Sequence, residues 1–249
     1  MNFWLAVYTL WQRELVRFYR VPSRWFGAVG TALLFWAFLG TGIGGADYRA
    51  YFFPGTMVMS MMFTCIFSTA SIIEDRQAGF LQSVMVAPVS RAAIVMGKIL
   101  GGATLATLQG LLIMVFAGTV GATFEMVPFL GLLASLFLIS FVVTAMGFWL
   151  AWKIESPPGF HAIMNMVLLP MWMASGAVFP ISSSAWLKLF MTLNPFTYGV
   201  AGVRRGLSMP TTNLSQVPSF QTCLMVLVGF SIFFYTLSSW VVEKSNEKG

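Results

Sequence analysis

Met126–Trp152 reads MVPFLGLLASLFLISFVVTAMGFWLAW, 27 residues without one Asp, Glu, Lys or Arg. A hydrocarbon core about 30 Å thick needs about 20 apolar helical residues to cross it, so this run suffices on its own. Five more uncharged runs lie around it: Trp25–Ala46, Ala50–Ile73 and Ile99–Phe124 before, Gly159–Leu187 and Gly206–Val242 after. None alternates apolar and polar at every second residue, which selects helices over a barrel. Composition agrees, with 58% of residues hydrophobic and 9% charged, where a soluble domain carries about 25% charged. The expectation is an all-α membrane protein, residues 1–249 forming one domain. Its six transmembrane helices are expected over 25–46, 50–73, 99–124, 126–152, 160–181 and 218–242, leaving no room for a soluble domain of ordinary size.

The charges orient the chain. Arg13, Arg17, Arg20 and Arg24 precede the first span; Arg76, Arg91 and Lys98 lie between the second and third; Lys153 follows the fourth; Lys244 and Lys248 follow the sixth. Ten of the fourteen basic residues thus fall on one side, which the positive-inside rule makes cytoplasmic, with both termini there. The net charge of +6 reads as topology and contact with anionic lipid rather than nucleic-acid binding. Cys65 and Cys223 lie inside spans and suggest no disulfide framework.

Residues 1–24 predict an amphipathic helix, with Trp4, Val7, Tyr8, Trp11, Leu15 and Phe18 at steps of three and four. Arg13, Arg17 and Arg20 take another face, and Pro22 ends the run. Such a helix lies in the headgroup layer with its arginines toward phosphate or cytoplasm, as an anchor or as a contact for a cytoplasmic partner. Residues 74–91, EDRQAGFLQSVMVAPVSR, hold most of the cytoplasmic loop charge around an apolar stripe of Phe80, Leu81, Val84 and Met85. Pro88 stops that helix and Ser90 is placed to cap the next. A short helix with charged ends and an apolar ridge can dock into a groove on a soluble protein, or simply turn the chain. The pairs Gly97/Gly101 and Gly27/Gly30 permit close helix approach.

The run EDRQAGFLQSVMVAPVSRAAIVMGK, residues 74–98, resembles the cytoplasmic loop of ABC-2 type transporter permeases. So do the block Ser175–Pro180 with Trp186, the run Leu193–Tyr198 (LNPFTY) and the following Val203-Arg204-Arg205-Gly206, in the family's order. The resemblance covers essentially the whole chain. It implies that 74–91 is a coupling helix seated in an ATPase subunit, carried by Glu74, Asp75, Arg76, Gly79, Phe80, Leu81, Pro88 and Arg91. It also implies a re-entrant or extracellular hairpin over 182–217, gating or capping the outer face, with Gly176, Pro180, Asn194, Pro195, Tyr198 and Arg204 as its marked positions. Four prolines, Pro180, Pro195, Pro210 and Pro218, break that segment independently of the resemblance.

Gly97-Lys98 lacks the flanking residues of a phosphate-binding loop, so ATP and Mg are assigned to a separate ABC ATPase and no cofactor to this chain. The implied assembly has two ATPase copies and a second permease copy or a related permease in the cytoplasmic (inner) membrane. His161 is a single histidine without a metal-ligand cluster, and no catalytic set is evident. Span interiors without Asp, Glu, Lys or Arg speak against a secondary transporter. Met57, Met61, Asn165, Met166 and Trp172 could line a pathway for an amphipathic or lipid-like substrate; gap-filling is the plainer role for the methionines. The expected function is the permease subunit of an ATP-driven exporter. A polysaccharide- or glycolipid-exporting permease is the alternative, and a nucleotide-independent membrane enzyme or scaffold the more distant one.

Overall fold

The computed structural model describes residues 2–42, 45–123, 125–179, 185–208 and 217–246, and every regular element among them is helical. In chain order these are α1 (Phe3–Tyr19), α2 (Pro22–Gly42), α3 (Gly45–Gln77), α4 (Phe80–Val86) and α5 (Arg91–Ile113). They continue with α6 (Met126–Lys153), α7 (Pro157–Trp172), α8 (Ala185–Thr192), α9 (Pro195–Gly206) and α10 (Phe220–Asn246). α5 tightens into a 3₁₀ segment over Met114–Val120, and α7 widens into a π-turn over Met173–Ala177. Six helices are long and apolar enough to cross a membrane, and each overlaps one of the six uncharged runs.

Local chemistry sets the starts. Ser90 and Ser156 each accept a backbone N–H from three residues on, from Ala93 and Gly159, and so cap α5 and α7. Asn194 does the same for α9 through Phe196, with Pro195 supplying a first residue that needs no N–H partner.

Boundaries differ from expectation where charge is involved. Glu74–Gln77 continue α3 rather than opening a separate loop helix, because their side chains find partners on neighbouring helices. Gly79, in the left-handed region at φ 72°, breaks the chain there, so the expected 74–91 element reduces to α4, seven residues long. The third span begins at Arg91 rather than Ile99, placing Lys98 two turns inside α5.

α3 is the central helix. It packs against α2, α5, α6 and α7, with Phe52, Phe53, Met57 and Met61 fully enclosed. α9 is buried along nearly its whole length and runs antiparallel to α6: Gly199 meets Ile139, Gly202 meets Ser135, and Gly206 meets Leu132. α1 crosses the first half of α5, and the contact depends on absent side chains. A Cβ on Gly97 would lie 2.8 Å from Leu10 Cβ and 2.9 Å from the Val7 carbonyl oxygen, and one on Gly101 2.7 Å from Glu14 Cβ. The Gly27/Gly30 pair serves no such purpose within the chain: both face open space, and α2 packs instead through Ala28 and Ala32.

Replacing Gly97 by Leu should therefore force α1 off α5 and destabilise the fold by about 1–3 kcal/mol, while Gly27→Leu leaves it unchanged. Chemical unfolding of both variants in mild detergent checks this; equal stabilities would remove the close-packing role.

Candidate functional site

One end of the bundle gathers seven charged side chains from four helices. Asp75, at the end of α3 and 2% exposed, is the hub. Arg13 grips it with two hydrogen bonds, Nη1 to Oδ2 at 2.8 Å and Nη2 to Oδ1 at 2.7 Å. Arg17 Nη1 donates to Oδ1 at 2.6 Å, and Lys98 Nζ donates to Oδ2. Lys98 also reaches Glu14 Oε1 at 2.7 Å, whose other oxygen accepts from Ser71 Oγ at 2.9 Å. Arg17 and Arg24 share Glu74. Four cations thus face three carboxylates, tying α1, α2, α3 and α5 together. The hydrogen bond to Asp75 raises the pKa of Arg13 above its ordinary value. Burial of these charges is costly, and their dense mutual hydrogen bonding offsets it.

α4 hangs from this cluster. The Arg13 guanidinium lies 3.7 Å from the centre of the Phe80 ring, a cation–π contact between α1 and α4. Leu81, expected to form a ridge for a partner, is 2% exposed and faces inward, seating α4 on its own bundle. The outward position is Val86, 87% exposed, with Pro88 also exposed beyond it. Arg76 donates to the carbonyls of Trp152 and Ile154, and Gln77 to that of Glu155, so α3 also holds the α6–α7 turn. Arg91 reaches the Glu243 carbonyl at the end of α10. The helix terminus, α4 and the start of α5 therefore converge on one surface.

The α1 arginines separate. Arg13 and Arg17 direct their hydrogen bonds to carboxylates within the chain while staying partly accessible, and Arg20 is exposed. Trp11 donates its indole N–H to Thr104 Oγ1 at 3.1 Å. Sequence reasoning overlooked Glu14 and Lys98 as partners. Their signal was present: Glu14 is the only acid before Asp47, in a segment of arginines.

At the opposite end, Arg204 is 5% exposed and has no acidic partner among the described residues. It donates to the carbonyls of Tyr51 at 3.2 Å and Gly176 at 3.0 Å and lies 4.2 Å over the Tyr51 ring. Gly176 takes φ 83°, turning its carbonyl into the path of both Arg204 and the Tyr51 hydroxyl, which donates at 2.8 Å. Asn194 Nδ2 bonds the Met171 carbonyl, and Tyr198 Oη bonds that of Thr192. Of the marked positions, Gly176 and Arg204 bond each other, while Asn194, Pro195 and Tyr198 lie at the start of α9 and Arg204 near its end; Pro180 and Pro210 lie outside the described residues.

The pathway residues do not converge. Met57, Met61 and Trp172 are core, the last donating to the Gly55 carbonyl at 2.9 Å. On α7, Met166 is exposed, and the Asn165 amide oxygen is buried without a partner among the described residues.

A helical bundle with six membrane-spanning candidates, a charged end and one short helix beside it defines a polytopic membrane protein. The family model of the ABC-2 type transporter matches residues 6–208, and the chain belongs to that family. It is similar to the inner membrane transport permease YadH of Escherichia coli strain K12, 24% identical over 258 aligned positions covering 97% of this chain and 96% of that one. It is also similar to nodulation protein J of Rhizobium meliloti strain 1021, 28% identical over 189 positions, 72% of this chain and 71% of that one. A third relative is ycf38 of Cyanophora paradoxa, 29% identical over 163 positions; the match spans 64% of this chain but only 56% of that one. The chain is thus a transmembrane permease subunit of ABC-2 type, a family whose members work with ABC ATPases.

Breaking a buried ion pair from one side costs about 3–5 kcal/mol, so Asp75→Asn should destabilise the chain by that order in detergent unfolding. Adding Lys98→Met should restore part of the loss, since it removes the lysine left short of a carboxylate. Additive losses in the double variant would contradict the shared-hub geometry.

Proposed function

We propose that this chain is the membrane subunit of an ATP-driven exporter in the inner membrane, with both termini cytoplasmic and residues 1–249 acting as one membrane domain. Two copies of a separate ABC ATPase, which bind the ATP and Mg, would drive it beside a second permease copy or a related permease. The observation that carries this reading is α4: a seven-residue helix, pinned on one side by Leu81 and the Arg13–Phe80 contact, with Val86 outward. A partner pressing on α4 would move Phe80, and through Arg13 the Asp75 hub and the ends of α1, α3 and α5. We therefore read α4 as the coupling helix and the surrounding charge as its lever.

The orientation rests on the concentration of Lys and Arg at this end. α1, with Trp4 and Tyr8 exposed, is read as an interfacial helix. The α8–α9 pair is read as a re-entrant hairpin: Gly199 meets Ile139 near the middle of α6, and Gly206 meets Leu132 toward its start, so α9 begins at depth and emerges. Arg204 and the Gly176 carbonyl would latch that hairpin to α3 and α7. For cargo, the exposed Met166 beside Asn165 on α7 supports an amphipathic or lipid-like substrate, since a flexible thioether accepts several apolar shapes.

The structure-guided variants differ in kind. Val86→Glu should abolish co-purification of the ABC ATPase and substrate transport while leaving the permease as stable as wild type. Leu81→Glu, burying a charge, should lower stability itself. Full ATPase association and transport by Val86→Glu would overturn the coupling role of α4.

A further inference from the structure

Two grooves meet at the elbow between α1 and α2. The first, about 550 Å³, is lined by Thr9, Gln12, Arg13, Arg17 and Arg20 and ends at Val21. The second, about 460 Å³, is apolar: Tyr19, Pro22, Trp25, Phe26 and Val29 on one wall and Leu112 of α5 on the other. No carboxylate lines either groove. Arg13 and Arg17 spend their hydrogen bonds inward on Asp75 and Glu74, yet 32% and 26% of their side chains remain accessible. Arg20 is exposed and its guanidinium has no partner among the described residues. The ion cluster already holds one more cation than carboxylate, so with Arg20 two positive charges at this elbow lack a counter-charge.

We propose that the elbow binds one anionic phospholipid of the cytoplasmic leaflet. Arg20, with the accessible edges of Arg13 and Arg17, takes the headgroup phosphate, and an acyl chain lies along Trp25, Phe26 and Val29 against Leu112. The site selects a net negative headgroup because a zwitterionic lipid would bring a cation to three arginines. It selects a lipid over a soluble anion because the apolar groove starts one residue from the basic one, with amphipathic Tyr19 and Trp25 at the boundary. The Trp25 indole is already held in place, donating to the Phe18 carbonyl at 3.3 Å, so its ring is a fixed wall rather than a free side chain. This inference rests on the reading of α1 as a helix at the cytoplasmic membrane surface.

The test uses the full chain in phosphatidylcholine nanodiscs doped, at equal mole fraction, with acyl-brominated phosphatidylglycerol or acyl-brominated phosphatidylcholine. Quenching of Trp25 is isolated from the other tryptophans as the signal lost in Trp25→Phe. Brominated phosphatidylglycerol should quench Trp25 several-fold more than brominated phosphatidylcholine. Arg20→Gln should erase that preference and Arg20→Lys keep most of it; the Arg20 guanidinium has no hydrogen-bond or ion-pair partner among the described residues, so these variants fold as wild type does. Equal quenching by the two lipids, or a preference indifferent to Arg20→Gln, overturns the site while leaving α1 at the membrane. Removal of the preference by millimolar inorganic phosphate overturns it in favour of a free anion. Quenching by neither lipid overturns the surface reading itself.

Discussion

The carboxylate of Asp75 is the constraint on which the rest of the charged end depends. It is buried at the end of the central helix, where an unpaired charge would not survive. Three cations from two other helices close on it, and none of them can leave without exposing the cost of the others. Arg13 must therefore sit where α1 crosses α5, which in turn requires Gly97 and Gly101 to carry no side chain. Because Arg13 is held there, Phe80 has a fixed cation to pack against, and α4 has a fixed position. The order of dependence runs from charge to helix contact to the placement of a seven-residue element.

The two ends of the bundle solve the burial of arginine differently. At the charged end, guanidinium groups meet carboxylates in a network that is polar throughout. At the other end, the sequence holds no acid between Glu155 and Glu243, and Arg204 makes do with carbonyl oxygens and a tyrosine ring. That arrangement needs a backbone that turns a carbonyl out of the helical ladder, which Gly176 provides through its positive φ. Carbonyl ligation is weaker than ion pairing.

The six spans were legible because solvent dictates them: a bilayer demands continuous apolar runs, and nothing else in a chain looks like Met126–Trp152. The limits of α3 and α5 were not, because a charged residue usually ends a span and here Glu74–Gln77 and Lys98 are satisfied by other helices instead. Sequence can show that Glu14 lies among arginines, but not that α1 lies parallel along the first half of α5 and so brings it to Lys98. Leu81 illustrates the same gap on a smaller scale: its spacing with Phe80 marks an apolar face, and only packing reveals that the face is the inward one. Met57, Met61 and Trp172 lie in the core, the plainer of the two roles, since a flexible apolar side chain reads alike whether it lines a passage or fills a core. The LNPFTY block marked a helix start, and its Asn194 and Pro195 do open α9.

On this geometry the Asp75 hub makes the ends of α1, α3 and α5 one mechanical unit. Hydrogen exchange of the intact chain in nanodiscs, followed by mass spectrometry, tests it most directly. Amides in residues 10–18, 71–77 and 97–104 should open together, with a single common rate, as one cooperative unit does. If residues 10–18 exchange far faster than the other two segments, α1 is a loosely attached helix and the hub does not hold it.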